Sequence, residues 1–176
     1  CSNTMSNLLV QNIKHTNNTT AISVDSSGRV TFPAKTFISF QGTRDANVDI
    51  ANDEIFGATN DGQAAFSISG SLGAGSSGIT YNSATGVFTV PVDGFYHVGF
   101  TFYYNQSQTL NTRVQMYVDG ILHAMGHSDI TVGTISLNHA LVLSANDEIH
   151  FQNDSGGART IYEGAAHQFG FIYLVG

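Results

Sequence analysis

The chain has 176 residues, enough for one full-sized domain with a small appendage. Thirteen acidic residues against six basic ones give a formal net charge of −7, and Lys14, Arg29, Lys35, Arg44, Arg113 and Arg159 are scattered along the chain, so no positive stripe gathers to meet a phosphate backbone and nucleic-acid binding is excluded. With 19 Gly, 12 Phe, 7 Tyr, no Trp and only 11% charged residues, the composition is that of an all-β protein with many turns.

Cys1 is the only cysteine, so neither an internal disulfide nor a cysteine-rich zinc pattern is possible. In first position it marks a mature bacterial lipoprotein, or equally a trimmed start methionine or a shortened chain. No signal peptide and no 18-residue apolar run occurs in the sequence, so no membrane span is expected in this form.

Residues 1–35 are the least hydrophobic part. The short runs "LLVQNI" (8–13) and "AISVDSSGRVTF" (21–32) read as strands, with Ser26–Ser27–Gly28 as a tight turn. Such a segment buries too little to stand alone and needs partner chains, a particle or the following domain.

From "FISF" (37–40) onward the strand signals become regular: "AAFSISG" (64–70), "GVFTVPV" (86–92), "GFYHVGFTFYY" (94–104), "NTRVQMYV" (111–118), "ILHAMG" (121–126), "TISLNHALVL" (134–143), "DEIHFQN" (147–153), "RTIYEG" (159–164) and "QFGFIYLVG" (168–176). No stretch carries a 3.6-residue stripe, and short strands at this spacing read as a sandwich or barrel. Asp119–Gly120 is a two-residue hairpin signal, because both positions of that turn need positive φ. Asp93–Gly94 and Ser155–Gly156–Gly157 mark two further reversals.

Two strands break the expected alternation. In "TRVQMYV", Thr112, Val114, Met116 and Val118 point inward while Arg113, Gln115 and Tyr117 point to a wet face, and "DEIHFQ" alternates in the same way. In 95–104, by contrast, Tyr96, Val98, Phe100, Phe102 and Tyr104 lie on one face and Phe95, His97, Gly99, Thr101 and Tyr103 on the other. Residues 168–176 likewise set Gly170, Ile172 and Leu174 against Phe169, Phe171, Tyr173 and Val175. A two-layer sandwich buries one face of each sheet, so the second aromatic face calls for another subunit.

The stretch Tyr81 to Phe102, "YNSATGVFTVPVDGFYHVGFTF", resembles the signature of the globular domain of complement component 1, subcomponent q: a Gly–x–Phe–Thr strand, a Pro–x–x–Gly corner and an aromatic strand. "TRVQMYVDGIL", "ISLNHALVLSANDEIHFQN" and "HQFGFIYLVG" match later motifs in order, and the last is also similar to the closing strand of tumour-necrosis-factor-like domains. The resemblance covers about 36–176. It implies a ten-stranded, two-sheet antiparallel jelly-roll sandwich assembled as a homotrimer, with inner-sheet aromatics packed about the three-fold axis. On that basis His97, Thr101, Tyr103, Phe169, Phe171 and Tyr173 are the candidate trimer interface, with the choice between the two faces of the last strand left open. Val90 stands where the family often has Cys, and Asn146–Asp147 replaces its Gly–Asp turn. Some members hold calcium near the trimer apex, but no ligand position matches here.

The leading segment, "NTMSNLLVQNIKHTNNTTAISVDSSGRVTFPAK", is similar to the β-rich lead segments of bacteriophage fibre and virion proteins. The resemblances together imply a β-rich anchor or shaft over 1–35, bound to other virion proteins, and a jelly-roll head over 36–176. The expected function is that of a non-enzymatic virion structural protein, a trimeric fibre, capsid or tail appendage at the virion surface that attaches to a host cell-surface glycan or protein. The alternative is a secreted bacterial surface or matrix module of the same fold.

No cofactor or metal site is expected. "GAGSSG" (73–78) fits Gly-x-Gly-x-x-Gly but runs into "ITY", a strand and not the helix that phosphate cradling requires, so it reads as a surface loop. His123, His127 and Asp129 converge on a metal only if Gly126 turns the chain, since residues four apart on a strand lie roughly 13 Å apart. His139 shares parity with Ile135, Leu137, Leu141 and Leu143, which makes it a hydrogen-bonded core histidine or a boundary residue whose three copies bind an ion or a proton; His97 is read the same way. No Gly-x-Ser-x-Gly elbow is present, and the pairs Asp53–Glu54 and Asp147–Glu148 are adjacent, so on strands they point to opposite faces. The sequons at Asn17, Asn18, Asn105 and Asn153 are expected by chance in so Asn/Ser/Thr-rich a chain.

Overall fold

The computed structural model describes residues 12–14, 20–24, 26–28, 30–31, 36–69, 78–105, 111–130 and 132–175. Most of the leading segment, including Cys1, Asn17 and Asn18, and the glycine-rich residues 73–77 lie outside the described residues. What is described of the segment is a sheet of its own: β1 (Asn12–Lys14), β2 (Thr20–Val24) and β3 (Val30–Thr31) pair as an antiparallel meander. Ser26 and Ser27 form the turn between β2 and β3, with Gly28 at φ 78 just after them.

The head is two packed antiparallel sheets. One has five strands in the order β11 (Ile121–Ser128), β10 (Thr112–Val118), β13 (Glu148–Asn153), β8 (Val87–Thr89), β7 (Thr80–Asn82). The other is built on β9 (Gly94–Asn105). One edge of β9 carries β12 (Val132–Leu143) along its whole length; the other carries β15 (Gln168–Leu174) and then β14 (Arg159–Tyr162). Beyond β15 lie β4 (Phe37–Gln41) and β6 (Ser67–Ser69), and beyond β14 lies β5 (Asn47–Ile50). The head thus has twelve strands where the resemblance implies ten, with β5 and β14 extending the sheet past the end of β15.

Local chemistry explains the connections. Asp119 (φ 50) and Gly120 (φ 74) both adopt the left-handed conformation expected of the hairpin between β10 and β11. The other two expected reversals carry the chain between sheets: Pro91–Gly94 from β8 to β9, and Ser155–Gly157 from β13 to β14. The first corner is pinned by Asn146–Asp147. The Ala145 amide donates to Asp93 Oδ1 (2.7 Å), the Asn146 amide to the Val90 carbonyl (2.8 Å), and the Val90 amide to the Asp147 carbonyl (3.1 Å). Asn146 sits at φ 76, a conformation that asparagine tolerates.

The core is largely aromatic. Phe40, Phe88, Phe100, Phe102 and Phe151 are sealed between the sheets, with ring centroids 4.6 Å apart in the Phe40–Phe88 and Phe100–Phe151 pairs. Each such ring contributes about 1.5–3 kcal/mol relative to exposure. Residues 51–66 run beside β13, where Ile55 bridges Gln152, and insert Phe56 against Phe102 (4.8 Å) and Phe66 against Phe40 (4.9 Å). The buried tyrosines reach partners at their tips: Tyr96 donates to the Val92 carbonyl (2.9 Å) and Tyr104 to Ser128 Oγ (2.7 Å).

Candidate assembly face

The outward side of β9 and β15 is where the sequence places its excess aromatics, and the ladder register brings them into rows. Tyr173 stands opposite His97, Phe171 opposite Gly99, and Phe169 opposite Thr101. Tyr103, at the end of the row, stands opposite Tyr162 of β14. All six candidate residues therefore share one face of one sheet. The choice of face in the last strand follows from burial: Gly170 and Ile172 are buried against the other sheet while Phe169 is 47% exposed.

Side chains within this face are ordered by one another. His97 Nδ1 lies 2.8 Å from the Tyr173 hydroxyl, and the imidazole meets the Phe171 and Tyr173 rings edge-on at 5.2 and 5.3 Å. The Phe171 ring lies over Gly99, where an added Cβ would come within 2.5 Å of its Cζ; glycine there lets the ring lie flat on the backbone. Thr101 Oγ1 and Ser136 Oγ are 2.9 Å apart across the β9–β12 ladder. Past Tyr103 the face ends in a polar aromatic group: His167 packs on Tyr103 (5.3 Å) and Tyr162 (4.5 Å), and the Tyr162 hydroxyl donates to Asp45 Oδ1 (2.9 Å). That bond and the neighbouring carboxylate hold the Tyr162 phenol above its ordinary value.

Several further residues belong to the face beyond the six candidates. Phe95 (43% exposed) has the right parity in the sequence, and Val142 (77% exposed) is an outward position of β12 opposite it. Phe37, opposite Tyr173 on β4, becomes legible once that strand's direction is known. His167 and Tyr162 do not, since they meet through a turn and a short strand with no periodic signal.

The remaining histidines do not gather. In β11, His123 is the extra residue of a bulge, because Met116 pairs with Ala124 and Tyr117 with Leu122. Gly126 stays within the strand, and His127 pairs with Asp129 (2.9 Å). His139 is half-buried on the inward side of β12, opposite Val98. Among the described residues no three His, Cys, Asp or Glu side chains converge as metal ligands would. The sequon at Asn153 is closed: its buried amide donates to the carbonyls of Ile50, Ala51 and Gly157 (3.0, 2.8 and 3.2 Å).

The wet face of the other sheet departs from simple alternation. Gln115, an outward position, is buried, because Tyr117 donates to its Oε1 and its Nε2 donates to Asp154 Oδ2 (2.6 Å). Tyr117 and His150 stack nearly parallel at 5.1 Å, and burial pushes the imidazole below its ordinary value, against the opposing pull of Gln152 and Glu148.

No family model matches the sequence, and no curated protein matches it. Among solved structures the chain is similar to the tumour-necrosis-factor protein Eiger of S. frugiperda, with 14% identity, a TM-score of 0.68, and coverage of 81% of this chain and 94% of that one. It is also similar to murine APRIL at pH 5.0 (9% identity, TM-score 0.57, 80% and 99% covered) and at pH 8.5 (7% identity, TM-score 0.52, 80% and 99% covered). At these identities the likeness is one of fold: the head is a tumour-necrosis-factor-like jelly roll.

Proposed function

We propose that the chain is a non-enzymatic recognition protein whose jelly-roll head works as a homotrimer, carried on a virion by its N-terminal β segment and attaching to a host-surface glycan or protein. The observation that carries the assembly reading is the aromatic face. Phe95 and Phe169 remain nearly half exposed, flanked by His97, Phe171 and Tyr173, on a sheet whose other side is a filled core. A contiguous aromatic patch of this kind is the mark of an association surface. Self-association of three copies covers it and presents three identical sites, which gain avidity against a repetitive surface. The virion placement rests on the likeness of residues 1–35 to phage lead segments.

Light scattering at micromolar concentration tests the assembly, with three times the monomer mass expected and a stable monomer overturning it. Immunoblotting of washed, purified particles tests the placement. Recovery in the medium of bacterial cultures free of particles favours the secreted surface module instead.

A further inference from the structure

We propose that the outward face of the five-stranded sheet, around Tyr117 and His150, is a binding site for a neutral saccharide. The inference rests on the attachment role proposed above and gives that role a place on the head. The site lies on the other sheet from Phe95 and Phe169, so its residues are not those of the aromatic face.

The register sets two cross-strand rows there. Tyr117 of β10 stands opposite His150 of β13, and Gln115 stands opposite Gln152, the rows lying about 7 Å apart along the strands. The Tyr117 and His150 rings stack at 5.1 Å with 9° between their planes. On each strand the amide runs from the aromatic row towards a carboxylate. Tyr117 donates to Gln115 Oε1 and Gln115 Nε2 donates to Asp154 Oδ2 (2.6 Å), while Gln152 Nε2 donates to Asp53 Oδ1 (3.4 Å). Gln115 is held at both ends and is 7% exposed although it points outward. The polar groups around it are thus ordered before any ligand arrives, and little conformational entropy is left to lose on binding. Leu122 and Met125 of β11, beside Tyr117 and Gln115, are exposed and give the patch an apolar flank.

The chemistry of these groups selects the ligand. The Tyr117 oxygen, Asp154 Oδ1 and Asp53 Oδ2 take no donor among the described residues. Arg113, with Nη1 3.9 Å from Asp154 Oδ2, offsets one of the carboxylates Asp53, Asp154 and Glu148. An anionic ligand is repelled by the remainder, which counts against acidic sugars and phosphate backbones alike. A wholly apolar ligand strands the acceptors away from water. The fitting ligand brings O–H donors without negative charge, and C–H surface to lie against the rings, Leu122 and Met125. A neutral sugar has both, in one ring with an apolar C–H face and a rim of hydroxyls.

The test is binding of the full chain to an array of neutral oligosaccharides of glucose, galactose, mannose and N-acetylglucosamine, with polygalacturonate and chitosan as anionic and cationic comparisons. At least one neutral oligosaccharide should bind, and adding it in solution should shift the His150 imidazole C–H resonances. Tyr117→Ala should weaken that binding by roughly tenfold or more, the loss expected when a central aromatic contact is removed. Gln152→Ala, at a half-buried position, supplies a second variant should Tyr117→Ala perturb folding, as judged by circular dichroism, and should also weaken it. Neutral-saccharide binding that persists undiminished in both folded variants, with His150 unshifted, keeps glycan attachment and overturns this site. Binding to polygalacturonate or chitosan alone overturns it as well. A head that binds no saccharide but binds bacterial cells until they are treated with protease keeps the attachment role, with a protein receptor, and overturns the site; a head that binds neither overturns both.

Discussion

Gly170 of β15 stands opposite Phe40 of β4, and a Cβ built on Gly170 would lie 2.3 Å from Cζ of the Phe40 ring and 2.6 Å from the Gly99 carbonyl oxygen. The closing Phe–Gly strand motif is thus a packing device: the missing side chain makes room for a core ring. Gly170→Ala should destabilise the head by about 1–3 kcal/mol, the usual cost of overpacking. Because the backbone oxygen cannot swing away, Phe40→Leu should restore only part of the loss. Urea denaturation of the two single variants and the double checks this, and a fully additive pair would remove Phe40 as the cause.

Opposite faces of the sheet that β9 and β15 share should respond differently to the same substitution. Phe100 is 1% exposed among core rings, so Phe100→Ser should abolish or severely weaken folding. Phe169→Ser, across the ladder on the outward side, should leave the fold intact and weaken association instead. Losing about 1–2 kcal/mol of apolar burial per contact raises the dissociation constant roughly five- to thirtyfold. Circular dichroism with sedimentation equilibrium separates the two effects; a Phe169→Ser protein that loses structure as well as mass would count against an assembly role for that face.

The strands from Phe37 onward are legible in the sequence because period-two patterning and turn residues coincide, and the six candidate residues share a face because parity on a strand is strict. What escapes such a reading lacks periodicity. β5, "NVDI", is four residues long with two polar ones, and its pairing with β14 is specified by partners far along the chain, such as Thr160 Oγ1 donating to Asp49 Oδ1 at 2.6 Å. Phe56 and Phe66 plug the sandwich from an irregular loop shaped by Gly57 (φ 77) and a short 3₁₀ turn at Thr59–Asp61, and no local pattern announces such plugs. Corners also read ambiguously. Pro–x–x–Gly signals a change of direction, but only tertiary pairing decides whether the next strand joins the same sheet or the opposite one.

Acid should weaken the head through His150, by a route independent of assembly. Burial depresses the imidazole, so the unfolded chain takes up its proton at a higher pH than the folded one. The His150 contribution is therefore fully present above pH about 6.5 and is lost as pH falls below it. His150→Gln should flatten the fall in denaturation midpoint between pH 7 and pH 5, measured at concentrations where association is constant. An unchanged slope would show that its proton uptake is the same in both states.

Glu163 is the acid with most to lose from a missing neighbour. It follows β14 with its side chain 1% exposed; Oε2 accepts from Arg44 Nε at 2.6 Å and pairs with Arg44 Nη2, while Oε1 accepts from the Ala64 amide at 2.9 Å. These bonds tie together three distant segments: the chain after β4, the loop before β6 and the turn after β14. Arg44→Met removes the only cation on that carboxylate among the described residues and leaves its charge in a buried site. The loss should be about 1–3 kcal/mol, below the 3–5 typical of a fully buried pair because the Arg44 side chain is 45% exposed. Replacing both partners, Arg44→Met with Glu163→Gln, should recover much of it, since a neutral amide can keep one hydrogen bond without a stranded charge. A double-mutant cycle by thermal or urea unfolding reads the coupling, and a cycle that closes with no coupling energy would reduce the pair to a surface contact.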